Sequence, residues 1–222
     1  MSTDLSYEDT ARYYDAAYGA VSTLGPDANF YRGLAAENRE RVLELGCGTR
    51  RVLLPIAAQA IHCTGVDMSS AMLDQFRSKP GAEVVKLVCS PMESFDFSGQ
   101  RFHLIFSAFR AFQHLDTVER QLACRARVRA HLEPGGMFAF DVYNPRMERL
   151  AADFEPESPD IEFELNGRAV RRFTSMTRDR TKELIHVTMR YVEECNESQA
   201  IQTVITFSMR WFWRYELEHL MH

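Results

Sequence analysis

Apolar residues follow two different spacings along the chain and divide it into two parts. In the first part, short apolar runs rich in valine, isoleucine and phenylalanine recur at 41–45, 62–66, 84–89, 102–107 and 137–143. The segments between them have helical spacing, at 50–60, 69–78 and 117–131. Strands that alternate with helices form right-handed βαβ units and a parallel sheet buried on both faces. The pattern therefore predicts an α/β core with flanking helices.

The second part, after residue 145, changes to alternation of apolar and polar residues. A polar, proline-bearing link, ADFEPESPD, precedes three long alternating runs, GRAVRRFTSMTRD, KELIHVTMRYVEE and AIQTVITFSMRWFWRY, joined at DRTK and CNESQ. A period of two predicts antiparallel strands. We therefore predict an N-terminal helical cap over 1–40, an α/β core over 41–145, a small antiparallel β subdomain over 146–214, and the start of a C-terminal helix over 215–222.

Composition and charge narrow the classes of function. The 222 residues are 45% hydrophobic and 26% charged, as in an ordinary folded domain. The sequence has no apolar run of about 18 residues, and MSTDLSYEDTARYYD lacks the features of a secretory signal, so we expect a cytoplasmic protein with no membrane partner. A net charge of -5 argues against nucleic-acid binding. Five widely spaced cysteines without a C-x-x-C pair indicate reduced thiols and no metal site.

The stretch ELGCGT joins the first predicted strand to the first predicted helix. Gly46 and Gly48 allow a tight turn and the close approach of a ligand. Asp67 ends the second strand, where a carboxylate accepts hydrogen bonds from both hydroxyls of a ribose. A dinucleotide site requires G-x-G-x-x-G, and Arg51 occupies the position of the third glycine. A site for S-adenosylmethionine tolerates this change because that molecule has no pyrophosphate.

Four stretches resemble, in this order, the successive motifs of class I S-adenosylmethionine-dependent methyltransferases: VLELGCGT, VDMSSAML, FHLIFSAFRAFQHL and HLEPGGMFAFDVYNP. The resemblance is greatest to the bacterial small-molecule subgroup, which has an antiparallel insert after the fifth strand and includes the aminosugar N-methyltransferases. ARYYDAAYG is similar to the family's opening segment, which folds over the cofactor. The resemblance covers residues 11 to about 220. It implies a Rossmann-like parallel sheet, S-adenosylmethionine as the cofactor and a small-molecule substrate methylated on N or O.

The resemblance also implies roles for the residues of the glycine turn. Glu44 would orient the methionine end of the cofactor, and Gly46, Cys47 and Gly48 would supply backbone at close range. Asp67 would hold the ribose.

Three further residues at strand ends would complete the cofactor site. Met68 would pack on the adenine, Met92 would border the adenine edge, and Ser107 would lie beside the methionine. Taken alone, the two methionines are more typical of a core, and only their places at strand ends favour the cofactor role.

Four residues are candidates for covering the site, binding substrate or moving a proton. The ring faces of Tyr14 and Tyr18 could stabilise a sulfonium cation, with Tyr14 on the cofactor side and Tyr18 on the substrate side. Alternatively, the two side chains only pack as a lid over the site. His114 either takes a proton from an amine or hydroxyl as the catalytic base or is structural. Arg110 either binds an acidic group of the substrate or pairs on the surface.

Three features depart from the family pattern. Arg50 stands where the methyltransferase family, unlike the dinucleotide-binding proteins, usually has the third glycine of this turn. Its side chain either swings outward or obstructs the methionine pocket. Pro91 stands where an acidic residue reads the adenine amino group, so we expect one hydrogen bond, worth about 1 kcal/mol, to be lost. The chain stops within RWFWRYELEHLMH, so we expect the C-terminal strands of the fold to be missing. The fifth strand would then be an open edge, covered by a homo-oligomer partner or by the protein's own segments.

Two functions remain open at this point. The first is methyl transfer from S-adenosylmethionine to a small molecule. The second is a catalytically weakened or inactive cofactor-binding or interaction protein, which Arg50, Pro91 and the missing C-terminal strands favour. A nicotinamide-dependent oxidoreductase is the least consistent with the glycine pattern.

Overall fold

The computed structural model describes residues 7, 9–19, 25–38, 40–144, 146–196 and 199–222. Parts of the predicted cap, Pro145 and the centre of the CNESQ connection lie outside these residues. The five predicted core strands are present, as β1 Val42–Leu45, β2 Cys63–Asp67, β3 Lys86–Cys89, β4 Phe102–Ser107 and β5 Leu132–Phe140. They form one sheet in the order β3-β2-β1-β4-β5, and all neighbours are parallel. The predicted α/β core is confirmed.

Seven α-helices are described, with bounds α1 Ala11–Gly19, α2 Gly25–Asn38, α3 Leu53–Ala57, α4 Ser70–Arg77, α5 Val118–His131, α6 Met147–Leu150 and α7 Arg214–Met221. Helices α2, α3 and α4 pack on one face of the parallel sheet, and α5 and α7 pack on the other. The strands supply both layers by alternation: Leu104 belongs to the first and Ile105 to the second.

A second sheet contains four antiparallel strands in sequence order, β6 Phe154–Leu165, β7 Arg168–Asp179, β8 Leu184–Asn196 and β9 Gln199–Arg210. The interpretation of ADFEPESPD as a link is wrong, because most of it is the first half of β6. This strand lies at the sheet edge and its register shifts near Pro159. An edge strand tolerates proline because one row of its N–H groups has no partner strand.

Helix α1 joins the two sheets. The Tyr13 hydroxyl donates to Glu193 Oε2 at 3.0 Å, and its ring stacks on Tyr191 of β8 with centroids 4.8 Å apart. From the same helix, Asp15 accepts hydrogen bonds from Thr49 and Lys79 of the α/β core. The helix is therefore held from both sides above the carboxyl ends of the parallel strands.

Strand β5 lies at the edge of the parallel sheet, as predicted. Phe138 and Phe140 of this strand pack in the same buried cluster as Phe212 and as Leu217 of α7. The protein's own C-terminal helix thus covers one face of the apolar strand. None of the described helices is both long and apolar enough to cross a membrane.

Candidate functional site

A cavity of about 350 Å³ lies at the carboxyl ends of the parallel strands. Its walls come from the loops after β1, β2, β3 and β4, from α1, and from one face of the antiparallel sheet. The strand order reverses between β1 and β4, and ligands of open α/β sheets bind beside such a reversal. The position is therefore that of a ligand site built by both sheets.

The glycine turn after β1 is held tightly against β2. The N–H groups of Gly46 and Cys47 both donate to the Val66 carbonyl, at 2.8 and 3.0 Å. Gly46 and Gly48 have φ of 74° and 55°, which favours glycine, and a Cβ on Gly46 would lie 2.6 Å from that of Ala111. Backbone at this point therefore borders the cavity without side chains in the way.

Asp67 ends β2 and fixes two backbone segments at once. Its Oδ2 accepts from Gly48 N at 2.8 Å, and its Oδ1 accepts from Ser69 N at 2.9 Å. Burial raises the pKa of Asp67, and the hydrogen bonds from these backbone groups partly offset that rise. The Met68 backbone N–H also hydrogen-bonds this carboxylate, and the two oxygens of a carboxylate offer about four lone-pair positions. The side chain, which lines the cavity, therefore has capacity left for ligand hydroxyls.

Glu44 is the most unusual group in the cavity. Its residue is 3% exposed, and its Oε2 has no hydrogen-bond partner among the described residues. Burial raises the pKa of Glu44 well above its usual value, and the nearby Arg51 opposes the rise. A buried carboxylate oxygen without a donor is costly. Its geometry fits a ligand that supplies the missing donor, such as an ammonium group.

The two arginines after the turn behave differently. Arg50 is exposed, with φ of 128°, and it is absent from the described lining of the cavity, so it swings outward and does not plug the pocket. Arg51 does line the cavity, although the sequence pattern did not select it. Its guanidinium binds both carboxylate oxygens of Asp27 in α2, at 2.8 and 2.5 Å, and lies 4.9 Å from the ring centroid of Phe109.

Met68 and Met92, the two methionines at strand ends, both line the cavity. Pro91 does not line it, but Glu93, two residues later, does. Arg120 donates to Glu93 Oε1 at 2.7 Å. An acidic side chain therefore borders this end of the cavity even though the expected position holds proline.

Ser107 does not line the cavity. It is fully buried, its Oγ has no partner in the described part of the chain, and its carbonyl accepts from the Tyr31 hydroxyl at 3.3 Å. The next residues, Phe109 and Arg110, border the cavity instead, with φ of 55° and 65°. Their N–H groups donate to the Asp141 carboxylate at 2.7 and 2.9 Å. This turn, rather than the strand end at Ser107, therefore faces the cavity.

Helix α1 contributes Tyr14 and Tyr18 to the cavity, with ring centroids 4.5 Å apart, and Tyr18 also meets the Phe109 ring edge to face at 5.2 Å. Tyr7 lines it as well. Burial raises the pKa of Tyr7 and that of Tyr14, so both hydroxyls keep their protons. Aromatic rings therefore line the cavity on the α1 side, and a cation over the face of such a ring is stabilised.

His114 lines the cavity beside two aromatic rings, at centroid distances of 6.5 Å from Tyr7 and 5.3 Å from Phe207. Burial lowers the pKa of His114 to about 4, although the Ser208 backbone partly opposes this. Its Nδ1 has no hydrogen-bond partner within the residues described. The imidazole is therefore neutral at pH 7 and has a lone pair toward which a donor can be directed.

The antiparallel sheet supplies lining residues that the sequence analysis missed. One group is polar and comprises Asp160, Arg172 and Thr174; the other is apolar and comprises Met176, Met189, Phe207 and Met209. Alternation marked these strands as having a buried face, but nothing local indicated that the face would meet the parallel sheet.

Comparison with known proteins agrees with this geometry. Residues 42–136 match the family model described as a methyltransferase domain. The fold is similar to the CcbJ methyltransferase from Streptomyces caelestis, with a TM-score of 0.74 and 26% identity over 88% of this chain and 77% of that chain. It is also similar to DesVI from Streptomyces venezuelae, with a TM-score of 0.71 and 22% identity over 87% and 80%.

A third similar structure is an amino pentose methyltransferase from Micromonospora echinaspora, which was solved with S-adenosylmethionine bound. Its TM-score is 0.67 and its identity is 24%, over 96% of this chain and 85% of that chain. The comparison with curated proteins found no match. Residues 42–136 therefore match a methyltransferase domain, and the two sheets of the chain have the fold of methyltransferases of known structure.

Proposed function

We propose that the protein transfers a methyl group from S-adenosylmethionine to an amine or hydroxyl of a small molecule. The observation that carries the proposal is the shared cavity, which is lined by the glycine turn, by Glu44 with its unpartnered Oε2, and by the antiparallel sheet. The similar structures include a methyltransferase from Streptomyces caelestis and an amino pentose methyltransferase from Micromonospora echinaspora, which support the same conclusion.

Cofactor binding is assigned to residues around the glycine turn. Glu44 accepts hydrogen bonds from the ammonium group in the methionine part of the cofactor. The guanidinium of Arg51 adds a positive charge on the same side of the cavity. The backbone of 46–48 contacts the cofactor closely, and Asp67 accepts from the ribose hydroxyls. Met68 and Met92 flank the adenine, and Glu93 offers the acidic acceptor that Pro91 lacks.

The bound cofactor supplies an electrophilic methyl group on its sulfonium sulfur. The protein's part is to align the lone pair of the acceptor atom with that methyl group, so positioning dominates the rate. Tyr14 and Tyr18 present ring faces that stabilise a cation and exclude water. The exposed Arg110 lies at the mouth, where it attracts an acidic group of the substrate.

His114 receives the proton that leaves the acceptor nitrogen or oxygen. Its pKa of about 4 means that roughly one imidazole in a thousand is protonated at pH 7. Nδ1 therefore accepts a hydrogen bond from the N–H or O–H group that is to be methylated, and this bond orients the lone pair of the reacting nitrogen or oxygen. His114 then passes the proton to solvent rather than retaining it.

The test begins with calorimetric titration of S-adenosylhomocysteine, with NAD as the matched control ligand. We expect S-adenosylhomocysteine to bind and NAD not to bind. Transfer of a labelled methyl group from S-adenosylmethionine to a panel of small amines and alcohols then identifies the acceptor atom. A protein that binds NAD but not S-adenosylhomocysteine would overturn the proposal, and tight cofactor binding without transfer to any acceptor would favour a binding protein without activity.

A further inference from the structure

Gln113, the residue before His114, joins three separate segments of the chain. It is buried in the short 3₁₀ turn Ala111–His114 that follows β4. Its Nε2 donates to the Arg210 carbonyl, at the end of β9, at 2.6 Å. Its Oε1 accepts from the Tyr143 N–H, after β5, also at 2.6 Å. One buried amide therefore connects the turn that carries His114 to the antiparallel sheet and to the segment after β5.

The two hydrogen bonds account for a glutamine at this position. Both partners are backbone groups, so the amide oxygen must meet the N–H group and the amide nitrogen must meet the carbonyl. A carboxylate would lose the donor, and an apolar side chain would leave both backbone groups buried without this partner, which is costly. Gln113 is absent from the described lining of the cavity, so its amide serves the chain itself and not a ligand.

His114 is tied to the same strand. Burial lowers the pKa of His114, and a hydrogen bond with the Ser208 backbone opposes this lowering. A contact that favours the protonated ring is one in which the ring donates and the carbonyl accepts. Ser208 and Arg210 lie two residues apart on the edge strand β9, so their carbonyls point to the same side. Gln113 and His114 therefore hold two successive carbonyls of one strand.

The groups around His114 leave its orientation to these contacts. Its ring lies 5.3 Å from that of Phe207 on β9 and 6.5 Å from that of Tyr7. Beyond the effect of burial, Arg120 lowers the pKa of His114 and Asp116 raises it. These two charged side chains pair with each other at 2.9 Å. The orientation of the neutral imidazole therefore depends on ring packing and on the hydrogen bonds at β9.

We propose that Gln113 is a positioning residue for the proton transfer assigned to His114. Its amide holds the turn against β9, so that one ring nitrogen of His114 stays bonded to the strand and the other is presented to the group that is to be methylated. The inference rests on the proposed function, since it supports the role given to His114 there. Gln113 acts through His114 and is assigned no contact with the reactants.

The test compares two buried glutamines that hold the same turn. Gln121 of α5 is 1% exposed, like Gln113, and its Nε2 donates to the Leu115 carbonyl at 2.7 Å, but none of its described hydrogen bonds reaches β9. Gln113→Met removes both hydrogen bonds at every pH, and Gln121→Met is the matched control. The tautomer and pKa of His114 are measured by NMR of labelled imidazole nitrogens, with and without S-adenosylhomocysteine, and His114→Asn identifies the signals.

We expect one His114 tautomer in the parent and in Gln121→Met, and a mixture of both tautomers in Gln113→Met. S-Adenosylhomocysteine affinity should stay within twofold in both variants. With the acceptor found in the panel, kcat should fall at least tenfold in Gln113→Met and less than twofold in Gln121→Met.

Gln113→Glu is the conservative variant and keeps the inference testable if Gln113→Met does not fold. Only the protonated carboxyl supplies both a donor and an acceptor, so the single tautomer of His114 should be restored as the pH is lowered from about 9 to about 6. A parent-like His114 in Gln113→Met, an equal change in Gln121→Met, or a mixture of tautomers in the parent would overturn the inference. A parent that does not bind S-adenosylhomocysteine would refute the proposed function instead.

Discussion

The substitution Glu44→Gln is expected to raise the stability of the folded chain and to lower its affinity for the cofactor. Glutamine has the shape of glutamate but no charge, so the substitution removes a buried carboxyl whose Oε2 has no partner among the residues described. Because burial raises the pKa of Glu44, the folded state holds the proton more tightly than the unfolded state. The stabilising contribution is therefore fully present below about pH 4.5 and is lost as the pH rises through the folded-state pKa.

The expected effects have opposite signs. At pH 8 the variant should gain about 1 kcal/mol of unfolding free energy, because no buried charge has to be desolvated. That gain raises the melting temperature by about 2–4 °C in a chain of this size. The hydrogen bond from the cofactor ammonium to a charged carboxylate is worth about 1.5–3 kcal/mol. Its loss should weaken S-adenosylhomocysteine binding by roughly 10- to 150-fold.

Thermal melts at pH 5 and pH 8 and calorimetry in two buffers of different ionisation enthalpy measure both effects. The parent should release a proton when S-adenosylhomocysteine binds, and Glu44→Gln should not. Glu119→Gln, an exposed position on α5, is the control and should change neither quantity. Unchanged affinity in Glu44→Gln, or a stability difference that does not grow with pH, would refute the reasoning.

Arg50→Gly is expected to keep S-adenosylhomocysteine affinity within twofold and to raise the melting temperature, because the side chain is exposed and its φ of 128° favours glycine; a large gain in affinity by calorimetry would show that Arg50 does enter the pocket. His114→Asn is expected to slow methyl transfer about 10²- to 10⁴-fold at unchanged cofactor affinity. The lowered pKa of His114 contributes stability that is present above about pH 6.5 and is lost as the pH falls through about 4. The melting temperature of the variant should therefore depend less on pH between these values than that of the parent. Asp141→Asn should cost about 1–3 kcal/mol of unfolding free energy by removing an acceptor from the Phe109 and Arg110 N–H groups, and a denaturation midpoint equal to the parent's would contradict that role.

Local pattern was sufficient for the parallel core and for bringing the glycine turn together with Asp67. Buried parallel strands are continuous apolar runs, so their number and order along the chain could be read directly. Gly46, Gly48 and Asp67 follow the first two strands, and the carboxyl ends of parallel strands meet at one edge. The structure brings these residues together, with Gly48 N bonded to Asp67, for that reason.

Local pattern failed where a residue's role depends on its neighbours in space. The first half of β6 has the composition of a linker, and its pairing with β7 is what makes it a strand. Ser107 ends a strand like the other predicted site residues, but the turn at Phe109 and Arg110 faces the cavity in its place. Arg50 and Arg51 are adjacent in sequence, and only the backbone conformation sends one outward and the other toward Asp27.

The sequence by itself determined the α/β class, the glycine turn and the resemblance to a methyltransferase family, because these depend on spacing over a few residues. Only the tertiary structure decided which groups of the antiparallel sheet line the cavity. Asp160 lies in a stretch with the composition of a linker, Arg172 and Thr174 lie in an alternating strand, and their common place in the cavity wall depends on the register of β6 with β7 and on the packing of that sheet against α1. Long-range packing leaves no local pattern, so this wall of the cavity could not be predicted from the residues alone.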